Sequence, residues 1–170
     1  MPKKSERTRQ RIVEAANRLF YHKGYNQTSV TDVVQAAAVP RGNIYYYFKT
    51  KDEILEAAIR YRTERISQML EQWTGSYRTP IERLHRFLDI LSDSADAIMR
   101  FGCPMGTLNT ELGKGQRELQ AQAENLFKVF ESWLVDQFSE LGYAGRAHEL
   151  ALRLMAMGQG INVMAHVHHD

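Results

Sequence analysis

Seven residues between positions 41 and 51 offer the most chemistry in this chain: Arg41, Gly42, Asn43, Tyr45, Tyr46, Tyr47 and Lys51. Arginine and asparagine side chains can make paired hydrogen bonds to base edges in the major groove of DNA. Tyrosines offer hydroxyls to phosphates and ring edges to thymine methyls. Gly42 removes a side chain where backbone must approach a phosphate closely. Lys51 stands where a new helix is expected to open, so its ammonium and the first backbone N–H groups can hold a phosphate together. The set suits a polyanionic, base-bearing partner. A tyrosine-rich helix packed into a core or a protein interface is the competing reading, and the neighbouring elements have to decide.

Those elements read as helices. Ile12, Ala16, Leu19 and Phe20 recur at i, i+4, i+7 and i+8, which predicts a helix from Glu6 to Lys23 stopped by Gly24. Ser29 stands three residues before Asp32, a capping-box spacing that opens a short helix through Ala37, with Val30, Val33, Val34 and Ala37 inward. Pro40 disfavours helical geometry at Val39 and can begin a third helix, from Pro40 or Arg41 to Tyr47. Ile44 and Phe48 face inward there, leaving Arg41, Asn43, Tyr46 and Tyr47 few core partners. Two short helices joined by a turn of about three residues have the form of a helix-turn-helix, whose second helix enters the major groove. Thr50 with Glu53 predicts another capping box and a long helix from Lys51 to Trp73, ended by the stretch Gly75–Pro80. Further helices are expected over 80–100, around 107–112 within a glycine-rich kink, and over 116–141 and 145–168. No segment alternates with a period of two, so the fold class is all-α.

Charge divides the chain in the same place. Residues 1–51 hold ten Lys or Arg against three acids, a balance of +7 inside a total of +2, and the remainder is acidic. A basic first third on an acidic body points to a nucleic-acid-binding module joined to something with another task. The single cysteine, Cys103, excludes an internal disulfide and a multi-cysteine zinc site. No apolar run is long enough to span a bilayer and the first residues lead into charge, so no membrane partner and a cytoplasmic location are expected.

The run RIVEAANRLFYHKGYNQTSVTDVVQAAAVPRGNIYYYFKTKDEILEAAI resembles the DNA-binding domain of the TetR family of transcriptional regulators. The match is carried by Ala15, Leu19, Phe20, Gly24, Tyr25, Thr28, Val33, Ala37, Val39, Gly42, Tyr45, Tyr47, Phe48, Lys51 and Leu55. One departure is the third tyrosine of the Tyr45–Tyr47 run, where the family often has histidine. The resemblance implies a three-helix DNA-binding head over 1–50 and an all-helical ligand-binding and dimerisation body over 51–170. It implies a homodimer on double-stranded operator DNA, paired through the last two helices, with small residues Ala151, Gly158, Gly160 and Ala165 allowing close approach. It also implies release by a small-molecule inducer. Thr28 or Ser29 would hold a phosphate, Arg41, Gly42, Asn43 and Tyr46 would face the groove, and Tyr45, Tyr47 and Lys51 would meet the backbone. The basic tail Lys3–Arg7 either adds contacts or is a solvated terminus.

The body says less. Trp73, Phe87, Cys103, Met105 and Phe127 are candidates to line a site for an apolar or amphipathic inducer, and aromatic and methionine side chains at helical spacing equally make plain core. Cys103 reads as a buried small hydrophobe or as a redox or electrophile sensor. His166, His168 and His169 do not gather on one helical face, so a mobile end is expected rather than a metal site. The chain has no glycine-rich phosphate loop, no G-x-S-x-G elbow and no H-E-x-x-H pair. Neither an enzyme nor a cofactor is expected, and a protein-interaction module is the remaining alternative.

Overall fold

Most of the apolar stripe read from the first helix is buried as its spacing demands: Ile12 and Ala16 have no exposed surface, Phe20 has very little, and Leu19 is half-buried. A computed structural model describes residues 4–168, with no strand among them. The fold is all-α. It divides into two compact units, neither of which is continuous in sequence.

The first unit joins the chain up to Thr63 with residues 107–124. It holds α1 (Lys4–His22), α2 (Val30–Ala36) and α3 (Ile44–Tyr47), with α3 entered through a 3-10 turn at Arg41–Asn43. It also takes in the first half of α4 (Lys51–Ser76), most of α7 (Pro104–Leu112) and α8 (Arg117–Ala123). Arg62 Nε donates to Asn17 Oδ1 at 3.0 Å, tying α4 to α1. Gln122 Nε2 donates to Glu56 Oε1 at 3.1 Å, tying α8 to α4.

The second unit contains the rest of α4, α5 (Pro80–Asp93), α6 (Ala95–Phe101), the first turn of α7, α9 (Asn125–Phe138) and α10 (Ala147–His168). Leu70, Trp73, Leu84, Phe130, Trp133, Leu134 and Ala151 form its core. Trp73 and Trp133 meet edge to face at 6.0 Å, and the Trp133 indole N–H is satisfied by Thr74 Oγ1 at 2.9 Å. Arg83 is nearly buried and satisfied three ways, donating to Tyr77 O at 3.1 Å, Gln137 Oε1 at 3.0 Å and Glu140 Oε2 at 3.0 Å. The arginine pins the start of α5 to the end of α9.

Several helix bounds differ from those the sequence suggests. α4 runs through Gly75 to Ser76, because burial of Trp73 holds the last turn and nothing crowds the exposed glycine. The helix expected over 80–100 is two, broken at Ser94, whose backbone at φ −110° and ψ 8° leaves the helical range. Pro80 occupies the first turn of α5 behind a Thr79–Glu82 capping box. The helix expected over 116–141 is likewise divided at Glu124, between α8 and α9. Beyond α9, Gly142 takes φ 91°, a backbone state that suits glycine.

Candidate nucleic-acid interface

The helix-turn-helix begins with a complete capping box. The Asp32 N–H donates to Ser29 Oγ at 3.1 Å and the Ser29 N–H donates to Asp32 Oδ2 at 2.8 Å. Lys23 Nζ lies 2.8 Å from the same carboxylate oxygen. These partners, Lys23 first and then the Ser29 N–H, pull the Asp32 carboxyl down to about 2 from its ordinary 3.8.

At the other end of α2, Arg11 Nη2 donates to Ala37 O at 2.6 Å and Ala38 O at 2.8 Å, satisfying carbonyls that the helix leaves open. Ala38 turns the chain with φ 49°, in the left-handed region. The next residues lead through Pro40 to α3. There Ile44 and Phe48 are buried, while Tyr45 is 57% and Tyr46 is 77% exposed. Arg41, Gly42 and Asn43 are also exposed, and Tyr47 is half-buried. A Cβ at Gly42 would meet nothing within 4 Å, so the space beside its backbone is open. Arg41 Nη2 donates to Thr31 Oγ1 at 3.1 Å, which holds the guanidinium against α2. Arg41, Gly42, Asn43, Tyr45 and Tyr46 thus share one exposed stretch backed by a buried Ile44 and Phe48.

Two expected contact residues, Thr28 and Lys51, are placed less simply. Thr28 is buried, and its hydroxyl donates to Gly24 O at 2.6 Å, so its side chain is turned away from any phosphate. The neighbouring Ser29 is exposed. Lys51 Nζ donates to Tyr25 O at 3.0 Å and Thr28 O at 3.2 Å and lies 4.1 Å from the centre of the Tyr25 ring. Two of its three N–H groups therefore hold the turn between α1 and α2. The box expected at Thr50 is half formed: Glu53 N–H donates to Thr50 Oγ1 at 3.1 Å, but the Glu53 carboxylate accepts from Lys49 N–H at 2.7 Å.

The turn between α1 and α2 is tied from several elements. Tyr25 is buried and its hydroxyl donates to Asp52 Oδ1. Burial, and then this carboxylate, hold the phenol well above its ordinary range, so it stays a donor. Glu111 on α7 accepts from Tyr25 N–H at 2.9 Å and Asn26 N–H at 2.7 Å. Sequence reasoning missed Glu111 and Arg11. Their partners are backbone atoms, and Glu111 reaches 86 residues back, so no local spacing marks it.

In the second unit, Trp73 belongs to the core and Phe87 and Met105 pack against it, whereas Phe127 lies half-buried outside that cluster. Cys103 is buried, and its Sγ lies 3.4 Å from Gln159 Nε2. His166 Nδ1 lies 2.9 Å from Met99 O, while Lys3 and His169 fall outside the described residues. No helix of the described residues is long and apolar enough to cross a membrane.

Two family models match the chain. One, bacterial regulatory proteins of the tetR family, covers residues 12–58. The other, the C-terminal domain of LmrA/YxaF-like transcriptional regulators, covers residues 80–170. An HTH-type transcriptional regulator encoded in the lacX 3' region of Lactococcus lactis subsp. lactis is 31% identical over 136 residues, 79% of this chain and 69% of the relative. The HTH-type transcriptional regulator YxaF of Bacillus subtilis (strain 168) is 25% identical over 158 residues, 90% of this chain and 82% of that one. The crystal structure of a TetR transcriptional regulator from Legionella pneumophila shares the fold, with a TM-score of 0.84 at 24% identity, covering 100% of this chain and 90% of that one.

Proposed function

The chain belongs to the TetR family of bacterial transcriptional regulators, and from that premise we propose that it is a ligand-responsive repressor that binds a palindromic operator as a homodimer. Its relatives and fold are those of DNA-binding regulators rather than enzymes. The observation that carries the reading is the exposed stretch from Arg41 to Tyr46, held rigid from behind by Ile44 and Phe48. Arg41, Asn43 and Tyr46 read base edges, Gly42 lets the backbone approach, and Ser29, Tyr45, Tyr47 and Lys51 meet phosphates. Residues 1–50 are the DNA-binding head, with Lys51 at its junction to the body, and 51–170 serve dimerisation and the inducer. The protein works in the cytoplasm, where its operator is.

The uncovered face of α10 supports the dimer. Met157, Ile161, Val163, Met164 and Val167 are each at least half exposed, an apolar surface that a second copy would bury. Release follows if an apolar or amphipathic molecule bound beside Phe87, Cys103 and Met105, with Trp73 behind them in the core and Phe127 outside that cluster, prefers a body whose two heads are wrongly spaced. The heads must sit roughly 34–36 Å apart to enter successive major grooves. A differential affinity of about 1–3 kcal/mol between the two body states is the usual size of such coupling.

The test is selection of bound duplexes from a random pool, followed by titration of the enriched sequence at several salt concentrations. A palindrome with half-sites about one helical turn apart, bound with a steep salt dependence, is the expected result. Failure to enrich any sequence would overturn the reading in favour of a protein-interaction module.

A further inference from the structure

We infer that Glu111 is a positioning residue for DNA binding: its carboxylate holds the turn between α1 and α2, and through it the placement of the helix-turn-helix. The inference rests on the DNA-binding reading above and extends it to a residue far outside the first fifty.

The turn 24–28 closes one backbone bond of its own, from Thr28 N–H to Tyr25 O at 3.2 Å, so its other polar groups need partners from elsewhere. Thr28 supplies one from within, its hydroxyl donating to Gly24 O at 2.6 Å. Lys51 takes the carbonyls of Tyr25 and Thr28 at 3.0 and 3.2 Å. Glu111 takes the two consecutive N–H groups of Tyr25 and Asn26, at 2.9 and 2.7 Å. Gln116 adds a bond from Nε2 to Asn26 Oδ1 at 3.1 Å. Gly24, at φ 85°, shapes the backbone that presents these N–H groups, and a Cβ there would come within 3.1 Å of the Glu111 carboxylate. Successive N–H groups beside a left-handed residue form a concavity that favours an anion, and here the protein fills it with its own.

The turn ends at Ser29, the cap of α2, and α2 leads within a few residues to α3. A shift of the turn therefore shifts the whole reading surface. Lys51 and Asp52 approach it from the start of α4, but Glu111 and Gln116 come from the segment that follows α6. The turn is consequently finished by residues that lie closer in sequence to the inducer-binding candidates Cys103 and Met105 than to the DNA-reading residues.

Electrostatics and positioning predict opposite signs for removal of this acid, which makes the inference testable. If Glu111 acts only through its charge, Glu111→Gln removes a negative group from a DNA-binding protein and tightens every complex. If it positions the turn, Glu111→Gln weakens the specific complex. Its amide oxygen can accept one N–H, but its NH2 opposes the other.

The protein and its Glu111→Gln and Glu111→Ala variants would be titrated with the selected duplex and with an unrelated duplex, and amide exchange at Tyr25 and Asn26 followed by NMR. We expect about tenfold weaker specific binding, unrelated-duplex binding unchanged or tighter, and faster exchange at both amides. Specific binding as tight as or tighter than the parent's would overturn the inference while leaving the DNA-binding reading intact. So would a parallel fall in both affinities accompanied by loss of helical circular dichroism in the near-isosteric glutamine variant, which marks a merely structural acid. A parent that prefers no sequence removes the DNA-binding reading, and the inference falls with it.

Discussion

Tyr46 keeps 77% of its surface in solvent, beside Arg41 and Asn43, which are also exposed. None of these side chains is needed by the core, so Arg41→Ala or Tyr46→Ala should leave thermal unfolding nearly unchanged. Each should cost about 1–3 kcal/mol of specific binding and relax sequence preference at its own base position, read by gel shift on single-base operator variants. Lys51→Ala differs in kind. Its ammonium holds two carbonyls of the first turn, so the substitution should lower stability to urea as well as DNA affinity. Asp32 carries a separate, acid-sensitive contribution. Its carboxyl titrates lower in the fold than in the unfolded chain, so the stability it confers is complete above about pH 5 and is lost as pH falls through 3.8 towards 2. Acid titration of unfolding free energy should show this component in the parent and lack it in Asp32→Asn.

Among the elements, the turn between α2 and α3 carries the clearest strain. Ala38 sits at φ 49°, where an L side chain costs roughly 1–2 kcal/mol. Ala38→Gly should raise the melting temperature slightly, because relief of that strain exceeds the added freedom of the unfolded chain. Ala38→Val should lower it clearly. Calorimetry of the three proteins decides, and an unchanged valine variant would refute the assignment. The elements also show what a sequence can disclose. Ser29 with Asp32 marked the start of α2 because a capping box is local, and Ile44 with Phe48 marked the buried face of α3 because four-residue spacing is local. The breaks at Ser94 and Glu124 escaped, since an apolar stripe continues across both and periodicity does not register a lost hydrogen bond. The carbonyl bonds of Lys51 and the inward turn of Thr28 escaped for another reason: they depend on where the α1–α2 turn lies in space. The residues offered for DNA contact and the helices that carry them were legible, but the side-chain bonds to the α1–α2 turn that aim them were not.

For the molecule as a whole, the exposed apolar face of α10 is the feature that asks for a partner, and the proposed partner is a second copy. Ile161→Glu or Val163→Glu should give a folded monomer, because both residues are at least half exposed within one chain. Sedimentation should find a chain of 19.6 kDa in place of a dimer, with operator affinity falling by two orders of magnitude or so as one head must bind alone. A parent that sediments as a monomer at micromolar concentration would refute the dimer. The same face has a consequence in genetics. A copy bearing Arg41→Ala and Tyr46→Ala keeps α10 intact and so pairs freely with the normal chain. At equal expression, random pairing leaves only about a quarter of dimers with two working heads. On the proposed repressor dimer, such an allele is expected to be dominant, derepressing an operator-linked reporter even beside a normal gene, and adding Ile161→Glu to the same allele is expected to make it recessive.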